Sequence, residues 1–361
     1  MRTIVGISGT AKNTGKTTTL LEVTKFFHQK SHDIFLTSIG YDGEDFDNIT
    51  GLPKPRVLVP QGAMVASALP LLESSPANFA DLKDTGVRCA LGRIFTGRAQ
   101  SGGKVVLAGP TNTRDLLSVI NYAPENATVL LDGAFSRLSP MVVADYLILA
   151  TGAARSKDSH RIAREVNAVF KVMSLPVAHK GTCRNGETSC DTPETALEEE
   201  LIDVQGGLFL AGQGQELGWR LNGNKNISVI RVHGIINPKV LQEALDELDL
   251  RQEIGAAARS LTFIFDHPIM LLLSGDALLW EHLLSALSNI GCQVMVRNST
   301  ELLGVTVNPY LPSQSGTGKY VATYVPPHNF IEDIRGLSLA PCTDIILEGP
   351  GKLYSWLERL I

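Results

Sequence analysis

Apolar runs of strand length alternate with stretches of helical spacing along the first half of the chain. Residues 3–8, TIVGIS, form a short apolar run rich in β-branched residues, which predicts a buried strand. From Lys16 to about Gln29, apolar residues recur every three or four positions, which predicts a helix. Residues 9–15 between them are small and polar. The pattern therefore predicts a strand, a loop and a helix in direct succession.

The same alternation continues after this first strand, loop and helix. Further strand-length apolar runs lie at 33–40, 56–60, 104–108, 128–132 and 144–150, and helical spacing begins near Arg114 and again over 158–170. Strands that alternate with helices are typical of a parallel sheet with helices on both faces. We therefore expect an α/β fold with a mostly parallel sheet. The alternation resumes from Ile227 to the end of the chain, which predicts a second, smaller α/β domain.

The polar loop between the first strand and the first helix has the composition of a phosphate-binding loop. Main-chain N–H groups of such a loop converge on an anion, and the helix dipole favours negative charge at that place. The pattern G-x-x-x-x-G-K-[ST] is matched at Gly15, Lys16 and Thr17, whereas its first glycine position is Thr10 and the nearest glycine, Gly9, comes one residue early. A glycine-containing turn without a ligand is the alternative.

The motif assigns roles to the residues of this loop. We expect Lys16 to reach the β- and γ-phosphates of a nucleotide and the Thr17 hydroxyl to bind Mg²⁺. The residues predicted to bind the nucleotide are Gly9, Thr10, Ala11, Lys12, Asn13, Thr14, Gly15, Lys16, Thr17 and Thr18.

Two acidic positions follow predicted strands. Asp42 opens the acidic stretch DGEDFD after the second strand, and Asp132 closes the apolar run TVLLD. Carboxylates at the carboxyl ends of parallel strands lie where ligands bind, and Mg²⁺ prefers oxygen ligands. We therefore predict Asp42 and Asp132 as magnesium ligands and, with Lys16, as catalytic residues. For Asp42, orientation of a nucleophile and a solvated acidic turn remain alternatives.

Arg137 lies just beyond Asp132, in the stretch GAFSRLSP. An arginine there could contact the γ-phosphate, within one chain or across a dimer. A surface arginine is the alternative. In the second half, Asp266 and His267 end a predicted strand. The pair has two alternative interpretations, which are acid–base catalysis and a turn at the end of the strand.

The stretch SGTAKNTGKTTTLLE resembles the P-loop NTPases of the group that includes dethiobiotin synthetase and the molybdopterin guanine dinucleotide adaptor. Relatives of that group with a signature lysine carry it at the position of Ala11, whereas Lys12 is one residue away. Together with YDGEDFDNITGLPKP, LLDGAFSRLSP and ADYLILATGA, the stretch is also similar to the accessory proteins of cobalamin-dependent aminomutases, of the lysine 5,6-aminomutase reactivase type. That resemblance implies an ATP-driven partner that releases damaged cobalamin from a stalled mutase.

The motifs and the pattern divide the chain into three predicted parts. Residues 1–180 form a P-loop nucleotide-binding domain, 181–226 a connector, and 227–361 the second α/β domain, which binds a substrate or a partner. The absence of an N-K-x-D base-reading motif favours ATP over GTP. We expect ATP and Mg²⁺ as cofactors and a protein partner or a homodimer. An accessory ATPase is the first hypothesis; a small-molecule kinase or synthetase of the dethiobiotin synthetase type and a nucleotide-binding module without catalysis are the alternatives.

Composition and charge limit the kinds of partner and the compartment that we expect for this protein. The net charge of −5 and the absence of a long basic run argue against nucleic-acid binding. No apolar run reaches the roughly 18 residues that a membrane span requires. The five cysteines are odd in number and widely spaced, which indicates reduced thiols. Because the chain opens directly on a strand pattern, we expect no signal peptide and a cytoplasmic protein.

Overall fold

The computed structural model describes residues 2–41, 57–134, 139–178, 201–204, 212–224, 227–247, 261–314 and 320–361. The chain divides into two compact units. The first comprises Met1–Asn167 together with Thr300–Ile361, and the second is Ala168–Ser299. The second unit is therefore inserted into the sequence of the first.

The elements follow one another in alternation along most of the chain. Up to the insertion they are β1 Thr3–Gly9, α1 Lys16–Gln29, β2 Ile34–Ser38, β3 Val57–Val59, β4 Met64–Ala68, α2 Leu69–Glu73, β5 Phe79–Cys89, β6 Gly92–Ala99, β7 Gly103–Val105, α3 Thr113–Ile120, β8 Thr128–Ala134, β9 Tyr146–Gly152 and α4 Ser159–Met173. The second unit continues with β10 Leu201–Val204, α5 Gln213–Gly223, β11 Val229–Val232, α6 Pro238–Glu247, β12 Thr262–Phe265, α7 Pro268–Ser274, α8 Ala277–Asn289 and β13 Gln293–Val296. The last segment contains β14 Glu301–Asn308, β15 Tyr310–Gln314, β16 Tyr320–Tyr324, α9 Pro327–Leu337, β17 Cys342–Thr343 and α10 Gly351–Leu357.

Within the described residues, the first unit is built on a nine-stranded sheet of order β17-β14-β9-β1-β8-β2-β4-β6-β5. The pairings from β17 to β4 are parallel, and only β6 runs against its neighbours β4 and β5. The prediction of an α/β fold with a mostly parallel sheet is thus confirmed. The parallel arrangement places β1 at the centre, with β8 and β9 beside it.

Helix α1 covers the centre of this sheet with one apolar face. Its buried residues include Leu20, Val23 and Phe27, which pack with Val5 and Ile7 of β1 in the main hydrophobic cluster. Burial of each such side chain contributes about 1.5–3 kcal/mol. This burial fixes α1 on β1, and therefore fixes the loop between them at the carboxyl end of the sheet.

The hairpin of β5 and β6 was not foreseen from the sequence. It extends the sheet at the edge beside β4, with antiparallel pairing from Phe79 opposite Ala99 to Cys89 opposite Gly92. Strand β5 contains several exposed polar residues, so its sequence lacks the apolar run by which the buried strands were found.

The segment Thr300–Ile361 returns to the first unit. Strand β14 pairs in parallel with β9, and β17 pairs with β14. Leu353 and Leu357 of α10 are fully buried in the main cluster. The predicted second domain, 227–361, is therefore wrong in its last part, because the apolar strand β14 completes the first sheet. Residues 168–180, predicted in the first domain, fall in the second unit where they are described.

The second unit has a sheet of its own. Its described strands lie in the order β10-β11-β12-β13 and are all parallel. Trp280 of α8 is fully buried and meets Phe265 of β12 edge to face. The predicted connector, 181–226, contains β10 and α5, so that range belongs in part to this α/β unit.

Among the helices of the described residues, none has by itself the length and apolarity of a membrane span; α7 and α8, which are sharply bent relative to each other, reach them only as a pair. The described cysteines, Cys89, Cys292 and Cys342, are free thiols.

Candidate functional site

The loop from Gly9 to Gly15 connects the carboxyl end of β1 to the first turn of α1. Gly15 stands at the N-cap of α1 with φ +88, a left-handed conformation that glycine adopts without steric cost. Gly9 allows the chain to fold back on itself, because a Cβ there would lie 2.9 Å from Thr14 Oγ1 and 3.3 Å from the Cβ of Lys16. The early glycine that departs from the motif therefore serves the compactness of the loop.

Hydrogen bonds hold the loop to the end of β9. The Thr10 N–H donates to the carbonyl oxygen of Ala150 at 2.9 Å, and the Thr10 hydroxyl donates to Thr151 Oγ1 at 2.9 Å. Inside the loop, the Thr14 hydroxyl donates to the carbonyl oxygen of Ala11 at 2.9 Å. Thr10, which replaces the first motif glycine, thus anchors the loop to the sheet.

Three successive main-chain N–H groups of the loop donate no hydrogen bond within the described part of the chain. They belong to Asn13, Thr14 and Gly15. Asn13 has φ +64, so positive φ angles flank Thr14 on both sides. No side chain caps α1. N–H groups arranged in this way before a helix N-terminus form an anion-binding concavity, and the helix dipole adds to its positive potential.

Lys16 and Asp132 form an ion pair at the base of this loop. The Lys16 Nζ atom lies 3.0 Å from Asp132 Oδ1, and the two side chains are only 15% and 11% exposed. The contact follows from the sheet, because β8 pairs with β1 in the register that places Asp132 beside Ile7. Water screens such a pair less than one at the surface. Asp132 therefore holds the Lys16 ammonium at the carboxyl end of β1.

The oxygen ligands near the loop fit Mg²⁺ better than a softer metal. Thr17 brings a hydroxyl in the first turn of α1, and Asp132 brings a carboxylate from β8. The described residues contain no group of three or more His, Cys, Asp or Glu side chains that could hold a metal ion. Mg²⁺ is commonly bound through one or two protein oxygens together with waters and phosphate oxygens.

Asn308, at the end of β14, was not predicted and lies directly against the loop. Its Nδ2 donates to the carbonyl oxygen of Asn13 at 3.2 Å, and a Cβ at Gly15 would lie 3.3 Å from the same nitrogen. Beside it, the hydroxyls of Thr19 and Thr306 are 2.7 Å apart. The sequence signal, an apolar strand ending in Asn-Pro, was present; only the pairing of β14 with β9 reveals its place.

A small crevice of about 20 Å³ adjoins this side of the loop and is lined in part by Thr18, Asn308 and Asp344. Burial raises the pKa of the Asp344 carboxyl above its usual value, although the N–H groups of Leu347 and Ile346 donate to it. By its volume the crevice has room for about one water molecule. It is therefore a contact between the loop and the last segment rather than a pocket for a base.

The other predicted site residues are distributed as follows. Lys12 is exposed, whereas Ala11 and Thr18 are half-buried within the loop and the first turn. Asp42 with its acidic stretch and Arg137 lie outside the described residues. Tyr41, the residue before Asp42, follows β2, which pairs with β8 beside Asp132.

Asp266 and His267 belong to a different cluster, at the carboxyl end of the second sheet. Asp266 Oδ1 lies 3.3 Å from Nδ1 of His233 and 3.5 Å from Nη1 of Arg297. The other ring nitrogen of His233 lies 3.0 Å from Asp203. His267 is buried and its Nδ1 accepts the Ile269 N–H, so it caps α7. The geometry thus favours the strand-end turn for His267 and joins Asp266 to a polar cluster with His233 and Arg297.

The residues that surround the loop form one arrangement: a left-handed glycine before α1, an ion pair between Lys16 and Asp132, and an asparagine from β14 that supports the loop from the side. The chain as a whole matches no family model, no curated protein and no solved structure.

Proposed function

We propose that this protein binds a magnesium–nucleoside triphosphate, ATP, at the loop of residues 9–18 and hydrolyses it as an accessory protein to a partner enzyme. The observation that carries the proposal is the Lys16–Asp132 ion pair, 3.0 Å long, at the base of a loop in which three main-chain N–H groups donate no hydrogen bond to the described residues. A cation held beside an anion-binding loop is suited to phosphate.

Main-chain and side-chain groups of the loop have different roles in binding the phosphates. The N–H groups of Asn13, Thr14 and Gly15 donate to phosphate oxygens, and the Lys16 ammonium exchanges Asp132 for a phosphate oxygen when the nucleotide binds. This exchange leaves the Asp132 carboxylate without its counter-ion. A carboxylate released in this way is ready to accept a new cation.

Thr17 and Asp132 are the residues that would hold Mg²⁺, which when bound supplies a Lewis acid to the phosphate oxygens. The loop fixes Thr17 one residue after Lys16, so that the hydroxyl and the ammonium serve neighbouring oxygens. The orientation of these groups is set by the burial of α1 on β1 rather than by the loop alone.

A partner enzyme is supported by the resemblance to the accessory proteins of cobalamin-dependent aminomutases. In this proposal the partner binds to the second α/β unit, Ala168–Ser299. On this proposal, hydrolysis is slow for the isolated protein and faster with the partner.

The direct test is nucleotide binding and phosphate release by the purified full chain. Fluorescent ATP analogues measure affinity with and without Mg²⁺, and phosphate release is followed on the same samples. We expect Lys16→Ala to weaken binding or to slow release at least tenfold, which corresponds to about 1.4 kcal/mol or more.

Lys25→Ala is the matched control, because Lys25 lies on the same helix, is 55% exposed and pairs with Glu22 away from the loop. It should bind and turn over as the wild type does. Equal affinity in Lys16→Ala and in the wild type would overturn the proposal. Tight MgATP binding without phosphate release in the absence of a metabolite, and release on its addition, would instead support a small-molecule kinase or synthetase.

A further inference from the structure

A cavity of about 280 Å³ lies in the first unit, at the edge of the sheet remote from the nucleotide loop. It is lined by Met64, Asp81, Leu82, Lys83 and Arg98. Met64 is the first residue of β4, which pairs in parallel with β2, so the cavity lies where the parallel strands begin. The nucleotide loop lies where they end. The cavity is therefore separate from the site described above.

A bulge in β5 forms one wall of this cavity. The pairing between β5 and β6 shifts in register between Ala80 and Lys83, which leaves Asp81 and Leu82 outside the ladder. Asp81 has φ +54, a left-handed conformation that costs a residue other than glycine of order 1 kcal/mol or more. Bulges re-aim side chains and are frequent beside binding sites. Here the bulge places Asp81, Leu82 and Lys83 along the cavity, and the Leu82 side chain itself packs over Gly97.

The charges around the cavity are of both signs and are not paired with each other. Across the described residues, neither Asp81, Lys83 nor Arg98 takes part in an ion pair. By contrast, Arg93 on the same hairpin pairs with Asp84 at 2.7 Å. Arg98 is held in place, because its Nη1 donates to the carbonyl oxygen of Gly62 at 2.7 Å. Among the described residues, its remaining guanidinium donors make no hydrogen bond.

We propose that this cavity binds a small zwitterion of the α-amino acid class. The carboxylate of the ligand contacts the guanidinium of Arg98 and the ammonium of Lys83. The ammonium of the ligand contacts the Asp81 carboxylate, and its apolar side chain lies on Met64.

Charge and size select this class. A simple anion of the same size would meet the Asp81 carboxylate, and a simple cation would meet Lys83 and Arg98, so each would lose part of its attraction to repulsion. Pockets for drug-sized ligands have volumes of about 300–1,000 Å³, and the volume of this cavity lies just below that range. A cavity of this size suits a single amino acid. The Met64 side chain favours an aliphatic side chain over a polar one.

Isothermal titration of the full chain with L-leucine and L-methionine tests the proposal. We expect at least one of them to bind with a Kd of about 1 mM or tighter. N-acetyl-L-leucine lacks the ammonium and L-leucinamide lacks the carboxylate. Each should bind at least about tenfold more weakly than L-leucine, since it leaves a charged side chain of the cavity without a partner.

Asp81→Asn is the most informative variant, because asparagine tolerates the left-handed backbone and removes only the charge. The Asp81→Asn variant should bind L-leucine about tenfold more weakly than the wild type. Arg93→Gln, on the same hairpin but outside the cavity, should leave the affinity for L-leucine unchanged. Binding should also persist in Lys16→Ala. Equal affinity for L-leucine and N-acetyl-L-leucine, or no heat with either amino acid, would overturn the proposal.

Discussion

Asn308 donates a hydrogen bond from its side-chain amide to the main-chain carbonyl of Asn13, over 3.2 Å, and so ties β14 to the loop between β1 and α1. Its Oδ1 accepts the N–H of Tyr310 at 3.0 Å, which fixes the orientation of the amide. Two segments that are almost 300 residues apart in the sequence thus meet at Gly15. We expect the shape of the loop to depend on this contact.

We expect Asn308→Ala to weaken MgATP binding about twofold to tenfold, because a net hydrogen bond of about 0.5–1.5 kcal/mol that holds the loop is lost. Titration with a fluorescent ATP analogue measures this. Asn222→Ala, which removes a side-chain amide bonded to the Glu247 carbonyl in the second unit, is the matched control. Unchanged affinity in Asn308→Ala would show that the loop keeps its shape without the contact.

Asp132→Asn separates nucleotide binding from magnesium-dependent turnover. Asparagine keeps the shape of the side chain but has no charge to attract Mg²⁺, and it releases Lys16 from its ion pair. We expect nucleotide affinity to change little and Mg²⁺-dependent phosphate release to fall at least tenfold, or by about 1.4 kcal/mol in activation free energy.

Phosphate release over a series of Mg²⁺ concentrations is the measurement for Asp132→Asn. Higher Mg²⁺ should restore part of the rate if the carboxylate acts as a ligand. Normal turnover at the lowest Mg²⁺ concentration would remove Asp132 from the site.

His267 makes the second unit sensitive to acid. Burial lowers the pKa of its imidazole from 6.5 to about 4. The unfolded chain takes up this proton near pH 6.5 and the folded chain only near pH 4, so acid favours the unfolded chain. The contribution lowers the free energy of unfolding progressively as the pH falls from about 6.5 to 4, by roughly 3 kcal/mol in total.

His267→Asn should remove this acid-dependent loss while it keeps a side chain that can cap α7. Urea unfolding of the full chain at pH 7, 5.5 and 4.5 measures it. The variant should gain on the wild type as the pH falls, and the comparison at pH 7, where both forms are neutral, reports the cap alone. A difference between variant and wild type that stays constant with pH would contradict the expectation.

The local sequence was sufficient to predict the elements at the centre of the first unit. The predicted bounds of α1, Lys16 to Gln29, agree with the structure, because the helix has a left-handed glycine before it and a buried apolar face along it. Asp132 was identified as the acid that closes an apolar strand, and the structure brings it to Lys16 because strands β1 and β8 are neighbours. Such features depend on residues close together in the chain.

Features that depend on distant pairing could not be predicted in this way. The spacing of apolar residues in β14 predicts a strand but not its neighbour, so neither the return of Thr300–Ile361 nor the role of Asn308 followed from it. The hairpin of β5 and β6 lies at the sheet edge, where polar side chains replace the apolar run. The polar cavity at its bulge depends on a register shift, which apolar periodicity does not encode.

The return of the last segment can be tested by packing. Gly304 of β14 lies under the indole of Trp356, and a Cβ there would approach two carbon atoms of the ring to 2.6 Å. Because the ring, which packs against the main cluster, must shift to admit a methyl group, Gly304→Ala should lower the free energy of unfolding by about 1–3 kcal/mol.

Gly336→Ala is the matched control for the same chemical change. Gly336 lies within α9, and a Cβ there would meet no atom within 4 Å. Alanine should stabilise that helix by up to about 1 kcal/mol, since it has a higher helix propensity than glycine. We therefore expect the thermal unfolding midpoints of the two variants to move in opposite directions from that of the wild type. A midpoint for Gly304→Ala at or above that of the wild type would contradict the packing of Trp356 on β14, and with it the assignment of Thr300–Ile361 to the first unit.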